Sequence, residues 1–151
     1  MKVSIQGVRG SIPTSGSQTA HFGGNTSCVT LMEDDRMIIL DGGSGLQKVT
    51  LPDPEVKRVD ILLTHFHMDH IQGLGFFSAL FDPEKEVHIW APSSITHNLH
   101  SRLNRFLSPP LFPVLMRDLP CELFLHDISN SSFEIGPFTI MSQFVIHPGA
   151  T

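Results

Sequence analysis

The sequence predicts an α/β fold with α+β character: one mixed β-sheet with helices on one face. Two observations carry this. Before Asp41 there are three strand-like runs, the last two joined by a polar turn, which is the pattern of a meander. After Asp41, strand-like runs alternate with stretches whose apolar residues recur at helical spacing. The chain has 151 residues, which suits one domain, and we read 1–151 as one unit.

Lys2 to Gln6 alternates polar and apolar, as a half-buried strand does. Gly7-Val8-Arg9-Gly10-Ser11-Ile12-Pro13 opens a long loop, rich in Ser, Thr and Gly as far as Gly24. Long loops in compact domains are often functional. Asn25-Thr26-Ser27 leads into a strand from Cys28 to Met32. Glu33-Asp34-Asp35-Arg36 is the polar turn, and Met37 to Leu40 is the returning strand. Asp41-Gly42-Gly43-Ser44-Gly45 ends it, with glycines that permit close backbone approach. From the residues alone, Asp41 suits two roles equally. It is a carboxylate that fixes an imidazole or a water, or it belongs to a tight turn capping a helix from Leu46 to Leu51. A phosphate-cradling loop is the weakest reading, because no Gly-Lys-Ser/Thr follows.

Pro52-Asp53-Pro54 breaks that helix, and Val59 to Leu63 reads as a buried strand. Ile71, Leu74, Phe77 and Leu80 predict a helix that ends at Asp82-Pro83-Glu84. Val87 to Trp90 is a strand. Pro92-Ser93-Ser94 starts a helix with Ile95, Leu99, Leu103, Phe106 and Leu107 on one face. His97, His100, Arg102 and Arg105 read as its solvated side rather than as a substrate-binding patch. Ser108 to Pro113 is a stiff proline loop. Leu123, Leu125 and Ile128 suggest another strand. Phe133 to Ile135 and Phe138 to Ile146 read as a hairpin around Gly136-Pro137. His21, His88 and His126 read as structural or surface residues.

The chemistry concentrates in Thr64-His65-Phe66-His67-Met68-Asp69-His70, directly after the buried strand. Packing does not explain a burst of nitrogen and oxygen donors there. Neutral imidazoles with one carboxylate suit zinc, iron or manganese. His65 and His67 are two apart, so in an extended segment they point the same way. Asp69 and His70 follow where the chain turns into a helix and can reach the same cavity from a second direction. The spacing therefore offers two ligand pairs, enough for two adjacent metals. The alternative is a polar loop with histidines by chance, which this donor density disfavours.

These residues resemble the signature of the metallo-β-lactamase superfamily of hydrolases, and Thr64, Gly73 and Gly75 fit its local pattern. The opening strand, the Ser-x-Pro loop and Gly23-Gly24-Asn25-Thr26-Ser27 resemble the branch with phosphodiesterases and the transfer-RNA 3′-end nuclease. The resemblance implies an αββα sandwich, with His147 of His147-Pro148-Gly149 as the third metal-binding histidine. It places Asp41 behind the site, orienting ligands, and a loop like 108–113 on the rim. His65, His67 and His147 would bind the first metal, since three histidines and an open position mark a catalytic site. Asp69 and His70 would begin the second. Zinc leads, and manganese or iron fit the same ligands. The implied reaction is hydrolysis by a metal-bound hydroxide, with Asp69 orienting or deprotonating the water. The implied substrate is a phosphodiester, a small molecule or a nucleotide; a thioester or lactam is less favoured.

The resemblance maps to the first half of the family domain, the chain stopping at Thr151 before the expected bridging Asp and final His. We therefore also expect an incomplete, non-catalytic half-domain as the alternative, pairing with itself or a missing half. In either case one sheet face is left uncovered, so a homodimer is expected. The net charge of −5 argues against a nucleic-acid binder driven by bulk charge, though a local basic patch is compatible with it, so nucleic acid stands as a possible but not favoured partner. Cys28 and Cys121 stand alone and read as buried free thiols in a reducing compartment. The N-terminus reads as a strand rather than a signal peptide, and no apolar run approaches membrane-spanning length, so a soluble cytoplasmic protein is expected.

Overall fold

A computed structural model of the chain describes residues 1–52 and 56–148. The readings at Asp53, Pro54, Gly149 and Thr151 fall outside them. Six strands form one mixed sheet: β1 (Lys2–Gly7), β2 (Cys28–Glu33), β3 (Arg36–Leu40), β4 (Arg58–Leu62), β5 (Glu86–Pro92) and β6 (Glu122–Ile128). They lie side by side in chain order. The first three pair antiparallel, the meander that the sequence predicts, and β3 through β6 run parallel. Parallel neighbours need crossovers, and the segments after β3, β4 and β5 supply them.

Register assigns the two faces. Met37, Val59, Val87 and Leu123 align in one row, and Ile39, Ile61, Ile89 and Leu125 in the next. This face carries the main core with Leu46, Leu74, Phe77, Leu80, Leu99 and Leu103. All the helical segments that contribute to that core pack here. The opposite face holds Leu40, Leu62, Trp90 and His126 in one row and Ile38, Asp60, His88 and Phe124 in another. A hairpin of β7 (Ser131–Ile135) and β8 (Phe138–Ser142) lies on this second face. Its Phe133 stacks on Trp90 at 4.8 Å, and Ile38, Leu62 and Ile135 are buried together. The expectation of a bare second face is therefore corrected: the hairpin covers its middle. Val3 and Ile5 on β1 remain exposed, as do Phe144, Val145 and Ile146.

The helices depart most from expectation. The stretch 71–80 is not one helix. It is α1 (Met68–Ile71) followed by two short 3-10 turns, Leu74–Phe76 and Ser78–Phe81. Gly73 is the reason: a Cβ there would lie 2.1 Å from Gly43 O, so the chain meets the turn after β3 backbone to backbone. The 46–51 helix is a 3-10 turn, Ser44–Lys48, that Asp41 does not cap. The helix expected from Pro92 is α2 (Leu99–Phe106). β5 runs on through Pro92, paired with Ile128, and Asn98 is the true cap, accepting a hydrogen bond from Ser101 N at 2.8 Å. Ile95 is consequently exposed rather than on the buried face. The second strand of the hairpin stops at Ser142, short of Ile146. In the proline loop, Phe112 is buried in the core. Among the described residues, no helix is long and apolar enough to cross a membrane.

Candidate metal centre

The site sits where β3 and β4 end. Asp41 leaves β3 with φ 62°, a left-handed conformation that Asp tolerates better than most residues. Its amide donates to Leu62 O at 2.9 Å, which ties the end of β3 to β4. The turn then puts Gly43 against the motif: a Cβ there would lie 2.2 Å from Asp69 O and 2.5 Å from Thr26 Oγ1. Gly42 N donates to His70 O at 2.7 Å, and Gly73 N to Gly42 O at 2.8 Å. The short helix α1 is thereby locked to the Asp41 turn.

The buried Asp41 carboxylate gathers four donors. Thr64 N lies 2.8 Å and Thr64 Oγ1 2.9 Å from Oδ1. Ser27 Oγ lies 3.1 Å and His70 Nδ1 2.7 Å from Oδ2. A carboxylate only accepts, so a neutral His70 carries its proton on Nδ1 and presents the lone pair of Nε2. That Nε2 is 3.5 Å from Asp69 Oδ2. The Thr64 hydroxyl spends its one proton on Asp41 and accepts at His65 Nδ1, 3.0 Å away. His65 is thereby also held with its Nε2 lone pair free. Asp41 thus contacts His70 directly and His65 through Thr64, and it does not cap the Ser44–Lys48 turn.

His65, His67 and His147 come together, with one ligand atom of each within 4.8 Å of the others. His67 Nδ1 and His147 Nε2 are 3.4 Å apart. Two nitrogens each about 2.0–2.1 Å from one tetrahedral zinc would be separated by about 3.3–3.4 Å. The donor set therefore fits a single divalent cation. Burial, and then the neighbouring His70, His67 and His147, hold His65 below the ordinary imidazole pKa, which keeps it neutral and able to ligate. Asp69 stands beside this cluster. Burial raises its pKa, but hydrogen bonds from the Ser11 amide at 2.8 Å and its own amide, with the nearby His70 and His65 imidazoles, outweigh that. The carboxyl lies below its usual range and is ionised at neutral pH. Ser11, on the opening loop with φ 71°, is a contact that sequence reasoning missed.

Other histidines lie elsewhere. His88 is buried on the second face, 2.9 Å from His126, and stacks between Phe124 and His126. Cys28 is a packed hydrophobe, its thiol pushed up to about 12 by burial and then by Asp41. Both cysteines are free and buried. One residue of the expected solvated helix side is not solvated. Arg102 is nearly buried: it pairs with Asp127 at 2.9 Å and lies over the Phe66 ring.

A family model described as Beta-lactamase superfamily domain matches residues 36–147. Curated relatives carry the name Ribonuclease Z. That of Nanoarchaeum equitans is 29% identical over 150 residues, 96% of this chain and 42% of its own length. That of Thermococcus kodakarensis is 25% identical over 128 residues, 82% of this chain and 38% of its own. The chain thus spans about two-fifths of the length of these relatives. Among solved structures, the metallo-beta-lactamase fold protein YhfI from Bacillus subtilis matches with a TM-score of 0.66 at 21% identity, covering 98% of this chain and 54% of that one. The short form of human tRNase Z matches with a TM-score of 0.54 at 20% identity, covering 84% and 45%. Both share the fold. With its family match spanning the second antiparallel strand pair's return through His147, the chain belongs to the metallo-β-lactamase superfamily.

Proposed function

We propose that this chain carries the metal-binding part of a metal-dependent hydrolase acting on phosphodiesters. The observation that supports this best is the meeting of His65, His67 and His147 beside an Asp69–His70 pair ordered by Asp41. In this reading the three histidines hold the first cation, and Asp69 and His70 contribute to a second. Zinc is the leading metal; manganese and iron suit the same donors. When bound, such a cation supplies Lewis acidity, acidifying water and polarising a phosphoryl oxygen.

The remaining work belongs to the chain. Asp69, ionised and held by the Ser11 amide, is placed to orient a water or take its proton. His70, with its proton fixed on Nδ1, keeps Nε2 as a donor of electrons. Thr64 does the same for His65. The relatives' name, Ribonuclease Z, makes an RNA or nucleotide phosphodiester the favoured substrate class. The two free thiols fit a cytoplasmic setting.

A second reading rests on the length comparison: residues 1–151 form one unit that is part of a larger catalytic domain and is not active alone. The exposed Val3, Ile5, Phe144, Val145 and Ile146 support burial against a second copy or a further segment. One experiment separates the readings. The purified chain, with zinc or manganese, is given bis(p-nitrophenyl) phosphate and a 3′-extended RNA. Metal-dependent hydrolysis that His67→Ala abolishes supports the enzyme. Stoichiometric metal binding with neither substrate cleaved supports the part-domain.

A further inference from the structure

We infer that Arg102 is a positioning residue for the metal centre, acting through Phe66. The inference rests on the reading of His65, His67 and His147 as metal ligands. Phe66 stands between two of those histidines, and the Arg102 guanidinium carbon lies 4.5 Å from its ring centroid. A guanidinium over an aromatic face is attracted by the ring quadrupole, more strongly as water is excluded. Water is largely excluded here, since the Arg102 side chain is only 10% exposed.

Arg102 is itself held. Its Nη2 donates to Pro92 O at 2.6 Å and to Asp127 Oδ1 at 2.9 Å. Asp127 Oδ2 also accepts from Leu99 N at 3.4 Å, at the start of α2. The guanidinium therefore joins three elements, the ends of β5 and β6 and the body of α2, and presses on the loop that bears the ligands. The rings of His65 and His67 lie together, their centroids 4.4 Å apart, while Phe66 between them packs on the core. Clamping Phe66 to the core side therefore commits His65 and His67 to the other side together. Phe66 packs against the main core, so the clamp and the core act on the same ring.

A residue whose only role was to hold α2 would change stability and leave metal binding by the folded protein unaltered. A positioning role changes the ligand geometry. The test uses cobalt(II) and zinc(II) titrations of the chain and of Arg102→Met, Phe66→Leu, Phe66→Tyr and the Arg102→Met/Phe66→Leu double variant. Each protein's thermal midpoint is also measured. Zinc affinity should fall about tenfold in each single non-conservative variant, at the lower end of what supporting contacts around metal ligands show. The cobalt visible bands should shift. Phe66→Tyr, which keeps the ring, should bind as the parent does, and the double variant should be no worse than either single one. Phe66→Leu reads the contact from the loop, so a failure of Arg102→Met to fold cannot hide the answer. If the parent binds metal and either a folded Arg102→Met or Phe66→Leu binds with equal affinity and an unchanged cobalt spectrum, the inference is overturned and the metal reading stands. If the parent binds no metal, the metal reading fails and the inference with it.

Discussion

Asp41→Asn is the substitution from which most can be learned. The side chain keeps its shape, and Asn tolerates the left-handed φ of 62° at this position. What changes is that one of two acceptor oxygens becomes an NH2 donor. Among the described residues, each hydrogen bond to the Asp41 carboxylate comes from a donor: Thr64 N at 2.8 Å, Thr64 Oγ1 at 2.9 Å, Ser27 Oγ at 3.1 Å and His70 Nδ1 at 2.7 Å. If the new amide faces Thr64, a backbone N–H that cannot rotate away loses its acceptor. If it faces His70, that ring must move its proton to Nε2, which removes the lone pair a metal needs. One or two hydrogen bonds to a charged acceptor are lost in either orientation, at roughly 1.5–3 kcal/mol each. We expect the metal-free chain to lose about 2–5 kcal/mol. Urea unfolding followed by Trp90 fluorescence measures this, since Trp90 is the one tryptophan and is stacked between His126 and Phe133. Zinc affinity should fall about 10–100-fold as well. A loss under about 0.5 kcal/mol with unchanged zinc affinity would mean that the carboxylate does not order Thr64 and His70.

Further expectations follow from other parts of the fold. Gly43→Ala should destabilise the chain by at least about 2 kcal/mol and weaken metal binding, because its Cβ would meet Asp69 O at 2.2 Å; urea midpoints and a zinc titration check both. Leu103→Ala, under the sheet and fully buried, should cost about 2–5 kcal/mol and leave the zinc affinity of the folded protein unchanged. Stability should also fall with acid through the second-face histidines. Burial first, and then Arg58 for His88 and His88 for His126, hold both rings below their ordinary pKa. The unfolded chain then binds more protons than the native one as pH falls below about 6.5, so stability is full above that value and declines beneath it. Urea midpoints at pH 7.5 and 5.5 measure the decline, and His88→Gln should reduce it; identical midpoints in the parent at the two pH values would refute it.

The sheet was legible because its strands are short apolar runs bounded by turn residues, and Ile61 and Leu62 put apolar side chains on both faces because both faces are covered. The motif was legible because four donors lie within six positions. The helices were not. Apolar residues from Ile71 to Leu80 recur at helical spacing, but Gly73 must meet the Asp41 turn, a constraint visible only once β3 and β4 are neighbours. Arg102 looked like one more solvated charge. Its partners Asp127 and Phe66 are 25 and 36 positions away and converge on it only through the parallel order of β4, β5 and β6. His147 is 80 positions from His67, and no local pattern joins them; a family resemblance pointed to it. The opening loop was legible as a functional segment, but the Ser11 contact to Asp69 was not, since its contribution is a backbone amide.

In the proposed centre His65, His67 and His147 are ligands of one cation. X-ray absorption at the zinc edge, on the chain loaded with one equivalent of zinc, tests it most directly. Nitrogen and oxygen neighbours should lie at about 2.0–2.1 Å with imidazole multiple scattering, and should be lost in His67→Ala/His147→Ala. A zinc shell that is unchanged in that double variant, or a chain that retains no zinc, would contradict it.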